Sequence, residues 1–333
     1  MSKAVQKKIL VCGLGSMGKR RIRILKSCFP TFNILGVDNN TDRARKTGQT
    51  DKIETHNDFY TAFDDFCPDA VFACTSPLEH EKIVLHALEN GAHTFSEINL
   101  STKGYDKILS TSKSHGLIAF LSSTFLYRDE IAWIIDKVKN SKISYRYHTG
   151  QYLPLWHPWE EHSQFFVSDK KTSAIKEIMA IEFPWMIKAF GNVVDYRVMN
   201  FKISQLDLAY RDTLHLILEH ENRSCGAVTF DCVSIRPNRK LDIYNDKVFY
   251  EWHGTFDSLK EYDILKKKMV DISLSENIIQ DDNYNESIVE NPYIEEVKDF
   301  FSAIENKTMQ SSYGYDQDRI VLDLIRKIIK PDE

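Results

Sequence analysis

Residues 8–125 alternate short apolar runs with helical patterns. The runs are KILVCG, FNILGVD, DAVFACT, AHTFSE and GLIAFLS, each bounded by turn or polar residues. Strands buried on both faces read as near-continuous apolar segments of this kind. Between the runs, Glu79 to Asn90 puts Ile83, Val84, Ala87 and Leu88 on one face at helical spacing, with Gly91 after it. That spacing predicts a crossover helix, and strand alternating with helix predicts a parallel sheet covered on both faces.

After Arg128 the pattern changes. A helical periodicity runs through Lys139, the aromatic stretch GQYLPLWHPWEEHSQFF follows, and a second helical pattern extends from about Ser173 to Phe190. From Val193 to Leu274 come strand-like runs: LHLILEHE, SCGAVTFDCVS, KLDIYN, KVFYEWHG and MVDISL, with Asn-Arg, Pro-Asn and Asn-Asp between them. These turn residues predict an antiparallel sheet. The polar stretch from Ser275 to Glu290 reads as a surface loop, and Pro292 to Asn306 and Asp316 to Ile329 read as closing helices.

A chain of 333 residues exceeds one typical core, so two domains are expected. A formal charge of -5 provides no basic field to draw phosphate backbones or anionic lipid, so neither nucleic acid nor membrane is an expected partner. The polar MSKAVQKK start leaves no room for a signal-peptide apolar region, which predicts a cytoplasmic protein. Cys12, Cys28, Cys67, Cys74, Cys225 and Cys232 form no Cys-x-x-Cys pair and share no metal-ligand spacing with the histidines. No metal is expected, and most of the six read as small buried hydrophobes.

The strongest motif is KILVCGLGSMGKRRIRIL, with Gly13, Gly15 and Gly18 at G-x-G-x-x-G spacing between a strand and a helix. The first glycine permits the tight turn, the second lets backbone approach a pyrophosphate, and the third lets helix and strand pack closely. Leu14, Ser16 and Met17 lie in the same turn, and the helix N-terminus presents unpaired N–H groups to phosphate. Asp38 ends the next strand twenty residues beyond Gly18, where a carboxylate accepts from a ribose 2′-hydroxyl and repels a 2′-phosphate. NAD is therefore favoured over NADP, with Asn39 and Arg43 beside it. Arg43 and Arg45 weaken that preference, because an arginine here accommodates the phosphate. The expected fold is α/β: a Rossmann-type doubly wound parallel sheet over 1–125, and over 126–333 an α+β domain with a largely antiparallel, open-faced sheet for substrate and oligomerisation.

On these residues the chain resembles the glucose-fructose oxidoreductase / inositol dehydrogenase / MocA family over nearly its whole length. Three stretches carry the resemblance: GLGSMG with Asp38, ACTSPLEHEKIVLHALENGAHTFSEINLS, and the helix from Thr172 to Gly191 ending KAFG. The resemblance implies cofactor contacts at Cys74, Thr75, Ser76, Pro77 and His80, then at Glu97, Ile98 and Asn99, with Glu97 near the substrate as well. Ile98 stands where the family usually has a catalytic lysine. Counting back from Gly191, Ile181 or Glu182 stands at the family's histidine place, and Glu177 or Ile178 at its aspartate place.

Hydride exchange with a sugar carbon needs a group that takes or returns the hydroxyl proton. Glu182 is the first candidate, a carboxylate in an apolar helical stretch, whose pKa burial would raise. Pro184, two residues on, frees a carbonyl one turn earlier and invites a bend. His157 is the second, set among Tyr152, Trp156 and Trp159, where aromatic rings suit a sugar face. Lys176 and Glu177 are substrate anchors or partners to Glu182, and Arg128 suits a carboxylate or phosphate. The expected function is an NAD-dependent oxidoreductase on a sugar, sugar phosphate or nucleotide sugar. The resemblance points toward surface-carbohydrate synthesis and a homodimer or homotetramer paired through the C-terminal sheet. The alternatives are a non-catalytic reader of NAD and a sugar-like ligand, or a lyase or epimerase that uses NAD transiently.

Overall fold

The computed structural model describes residues 6–156, 166–274, 278–280, 289–308 and 313–329. The chain divides into two compact units, 1–124 with 293–322 and 125–292 with 323–333. In the first unit β1 (Lys8–Cys12), β2 (Asn33–Val37), β3 (Glu54–His56), β4 (Ala70–Ala73), β5 (His93–Ser96) and β6 (Ala119–Leu121) form one sheet in the order β3-β2-β1-β4-β5-β6. Every pairing in it is parallel. The strand order reverses between β1 and β4, the place where open α/β sheets bind ligands beyond the strand ends.

The connecting helices are α1 (Ser16–Cys28), α2 (Thr41–Asp51), α3 (Phe59–Phe66), α4 (His80–Glu89) and α5 (Tyr105–His115). α4 buries Ile83, Val84, Ala87 and Leu88, the face expected from its spacing. Beneath the sheet Phe72, Phe95 and Phe120 stack in a row, and Phe300 of the returning helix α8 (Asn291–Asn306) meets all three edge-on. β3 was not expected: its three residues, ETH, are half-exposed and carry no apolar side chain to mark them.

The second unit opens with α6 (Asp129–Val138) and β7 (Ser144–Gly150), followed by α7 (Ala174–Phe190). It continues with β8 (Val193–Phe201), β9 (Thr213–His220), β10 (Cys225–Asp231), β11 (Asn238–Tyr244), β12 (Phe249–Trp252), β13 (Lys260–Asp263) and β14 (Lys268–Asp271). α9 (Tyr315–Ile329) closes the described chain. The second sheet runs β14-β13-β12-β11-β7-β10-β9-β8, antiparallel throughout except for β7 beside β10. β7 was not expected: Tyr145 and Tyr147 are buried while the exposed Arg146 between them breaks the apolar signal. β13 was missed for the same reason, KEYD having no buried residue.

α7 covers one face of this sheet. It stays helical through Pro184, and its buried Phe183, Trp185 and Phe190 meet Phe230, Tyr147 and Tyr145 from the strands. Gly226 on β10 is required here, because a Cβ would lie 2.0 Å from the Tyr145 ring. The other face exposes Met199 and Ile217. The stretch expected as a surface loop, 275–290, falls mostly outside the described residues. Of the cysteines, Cys12, Cys74 and Cys232 are buried, Cys28 is half-buried, and Cys67 and Cys225 are exposed, so only half fit the expected role. Among the described residues no helix is long and apolar enough to cross a membrane, and no three His, Cys, Asp or Glu groups are placed to hold a metal.

Candidate functional site

The glycine turn between β1 and α1 is held by backbone geometry. Gly13 has φ +92°, and a Cβ there would lie 2.6 Å from the Cys74 backbone. At Gly18 a Cβ would lie 1.8 Å from the Gly13 carbonyl oxygen, so helix and strand touch where only hydrogen fits. Gly15 differs: its nearest neighbour would be Arg43 Nη1 at 3.9 Å. Open space above the second glycine is what a pyrophosphate approaching the backbone needs. Gly15 caps α1, and Ser16 and Met17 begin it with no acidic residue in the first turn, leaving a helix end suited to an anion.

Asp38, at the end of β2, is 7% exposed. Its Oδ2 accepts from the Leu14 N–H at 2.8 Å and lies 3.3 Å from Arg43 Nε, and its Oδ1 accepts from the Asn40 N–H at 2.9 Å. Oδ1 keeps a lone pair for a hydroxyl donor. Asn39 is exposed beside it. The residues present therefore fit a dinucleotide, with the carboxylate on the glycine turn and not aimed away from it.

The β4 and β5 ends are braced from behind. His80 is 2% exposed, with Nε2 3.0 Å from the Thr75 carbonyl and Nδ1 2.9 Å from Asn99 Oδ1. Burial lowers the His80 pKa, which favours a neutral ring whose Nε2–H donates to Thr75, so Nδ1 accepts, from the Asn99 side-chain amide with its N–H2 turned toward the ring or from the Ser96 hydroxyl at 3.3 Å. His80 thus ties the Thr75–Pro77 turn to Asn99 from inside the protein. Thr75, Ser76 and Ile98 are half-buried, and Pro77 and Cys74 are buried. Glu97 is held by the fully buried Arg21, Nε to Oε1 at 2.6 Å. Arg21 Nη2 also donates to Glu296 Oε2 at 2.7 Å, and Glu296 accepts from the Ser123 N–H and the Ser122 and Thr124 hydroxyls. Arg21 and Glu296 went unnoticed in the sequence, although an arginine on the buried side of RIRIL was a signal.

In the second unit, Glu182 is fully buried and fully engaged. Tyr147 Oη and Trp185 Nε1 each donate to its Oε2 at 2.7 Å, and Arg239 Nη2 donates to Oε1 at 2.6 Å. This carboxylate is the hub of a packed cluster, which argues against the proton-transfer role expected for it. Glu177, one and a half turns earlier, is the opposite case: half-buried, with Oε2 enclosed and no hydrogen-bond partner among the described residues. Burial pushes its carboxyl up to about 8. Lys176 Nζ donates to the carbonyls of Lys170 and Lys171.

Arg128 does not stand free for a ligand. It is 5% exposed, lies between the Phe125 and Trp252 rings, and donates to Glu130 at 2.6 Å and to the Gly254 carbonyl at 2.9 Å. Its expected anion contact is therefore corrected to an ion pair within the second unit. Trp156 packs against a cluster of Leu153, Val167, Ala174, Leu208 and Cys232 and donates to the Gln151 carbonyl, while Tyr152 is half-buried ahead of it. His157 lies outside the described residues.

Against known proteins, residues 7–122 match the sequence model of the GFO/IDH/MocA oxidoreductase family, NAD-binding Rossmann fold. No curated protein matches the chain. Among solved structures, the chain is similar to an oxidoreductase from Agrobacterium radiobacter in complex with NAD+, L-tartaric acid and magnesium, at 12% identity and TM-score 0.81, covering 98% of this chain and 96% of that one. It is also similar to levoglucosan dehydrogenase in complex with NADH and levoglucosan, at 14% identity and TM-score 0.78, covering 98% and 96%. A third is UDP-N-acetylglucosamine 3-dehydrogenase from Acidithiobacillus ferrooxidans, at 14% identity and TM-score 0.77, covering 97% of each chain. At these identities the likeness shows the fold.

Proposed function

We propose, from the match of residues 7–122 to the NAD-binding Rossmann model of the GFO/IDH/MocA oxidoreductase family, that this chain is a dehydrogenase or reductase that acts on a sugar, sugar phosphate or nucleotide-linked sugar with NAD. The observation that carries the reading is the open space above Gly15 flanked by the Asp38 carboxylate. The sugars named for two of the similar structures, levoglucosan and UDP-N-acetylglucosamine, support the substrate class.

NAD, when bound, accepts or returns the hydride. The Gly15, Ser16 and Met17 backbone holds the pyrophosphate, Asp38 takes the adenosine ribose hydroxyl, and the Thr75–Pro77 turn and the Glu97–Asn99 segment line the cofactor. Ile98 can move no proton, and Glu182 has its oxygens committed. Among the carboxyls of the second unit, Glu177 keeps an Oε2 without a hydrogen-bond partner among the described residues, and a carboxyl with pKa about 8 releases and regains a proton near neutral pH, as the acceptor of a substrate hydroxyl proton must. The chain self-associates through the uncovered face of the second sheet. Eight strands at about 4.8 Å spacing and roughly 20 Å long offer roughly 750 Å², near the 800 Å² per partner of a standard interface.

The test is NADH absorbance with a panel of sugars, sugar phosphates and nucleotide sugars. Turnover by the wild type, cut about 100-fold or more in E177Q, supports the reading. NAD binding without turnover on the whole panel supports instead a non-catalytic reader, which Ile98 and the caged Glu182 favour.

A further inference from the structure

Arg239 is the second residue of β11, and its guanidinium is fixed on one edge only. Nε donates to Tyr147 Oη at 3.1 Å and Nη2 to Glu182 Oε1 at 2.6 Å, so the side-on Nε/Nη2 edge is occupied. The Phe125 ring lies 4.5 Å from the guanidinium carbon. The stem is gripped by Gly254, where a Cβ would lie 2.8 Å from Arg239 Cβ. Nη1 makes no hydrogen bond to a described residue, and the side chain is 23% exposed. The end-on Nη1/Nη2 edge is therefore open.

A guanidinium presents two parallel N–H pairs, and each matches the two oxygens of a carboxylate or phosphate. If Arg239 served only to neutralise Glu182, one edge would suffice, and its other edge would gain nothing from being held rigid. Pinning by Tyr147, Glu182, Phe125 and Gly254 removes the rotamer freedom that a long cationic side chain loses when it grips an anion. Arg128, the arginine singled out by sequence, has no comparable edge, being enclosed with Glu130 and the Gly254 carbonyl.

We propose that the open edge of Arg239 binds an anionic oxygen group, carboxylate or phosphate, carried by the sugar-type substrate, and so selects acidic over neutral sugars. This rests on the sugar reading above. The ligand accepts two N–H bonds without covalent change, while Glu182 holds the guanidinium in place.

Calorimetry tests it with NAD present at saturation. D-glucuronate supplies the carboxylate arm, D-glucose 6-phosphate the phosphate arm, and D-glucose the neutral control. At least one anionic sugar is expected to bind about tenfold or more tighter than glucose, equivalent to about 1.4 kcal/mol. R239Q is expected to remove that preference and leave NAD affinity unchanged. Because R239Q also strips Glu182 of its counter-charge, R239K is measured beside it. R239K keeps the charge and the folded state, read by thermal melting, but loses the planar fork, so the preference falls. Equal binding of anionic and neutral sugars, binding of none, or a preference that survives in both variants would overturn the proposal. NADH absorbance on the same samples separates the two readings: an Arg239-dependent anion preference without NADH leaves this inference standing and removes the dehydrogenase assignment.

Discussion

The glycine turn of the first unit and the Glu182–Arg239 cluster of the second are both closely packed, yet they are built from different material. At the turn, backbone meets backbone: Gly13 against Cys74, Gly18 against Gly13, and the Leu14 N–H on Asp38. In the cluster, side chains from β7, α7 and β11 meet around one buried carboxylate. The first arrangement is set within a few residues of chain and leaves its mark in the sequence. The second depends on strands far apart in the chain and leaves none. Their energetics differ as well, since a backbone contact fails by overlap and a buried charge fails by losing its partner.

The sharpest way to break this contrast is to unpair the charge. E182Q leaves the Arg239 guanidinium without its counter-ion, and breaking a buried pair from one side costs about 3–5 kcal/mol. E182M/R239M removes both charges and should recover most of that loss in chemical denaturation. If the double variant is as unstable as the sum of the singles, the cluster is not the coupled pair described.

Overlap comes next in size. G18A drives a Cβ into the Gly13 carbonyl and is expected to cost about 1–3 kcal/mol of stability, with NAD binding lost alongside it. G15A meets nothing nearer than 3.9 Å, so its melting temperature should stay near wild type while NAD affinity falls. Equal destabilisation by the two would erase the distinction between a packing glycine and a binding one.

A further test is the effect of pH on Glu177. Its folded-state pKa is raised from 4.5 to about 8 by burial, so its contribution to stability is full below 4.5 and is lost as pH rises through 8. E177Q keeps a neutral group throughout. Its melting temperature should gain on the wild type from pH 5 to pH 9, and a constant difference across that range would mean the carboxyl ionises as it does in water.

Much of the first unit was legible because its signals are local. Five apolar runs became β1, β2, β4, β5 and β6, and the glycines with Asp38 came together as the spacing implied. What escaped was long-range. Arg21 reaches Glu97 across 76 residues and Glu296 across 275, and no local pattern announces such a pairing. In the second unit the outward Arg146 hid β7, and Glu182 was singled out for its apolar surroundings but without its partners Tyr147, Trp185 and Arg239. Arg239 sits in NRKLDIY, where an arginine near the start of a strand reads as ordinary surface. Only the fold shows which edge of it is held.

The central claim is that the Asp38 carboxylate and the glycine turn together hold NAD, and calorimetric titration of wild type and D38A with NAD and NADP tests it most directly. The account predicts saturable binding of NAD by the wild type, weaker binding of NADP, and a loss of about tenfold or more in NAD affinity in D38A, with the difference between the two cofactors shrinking. No affinity of the wild type for either dinucleotide, or NAD binding unchanged in D38A, would contradict it.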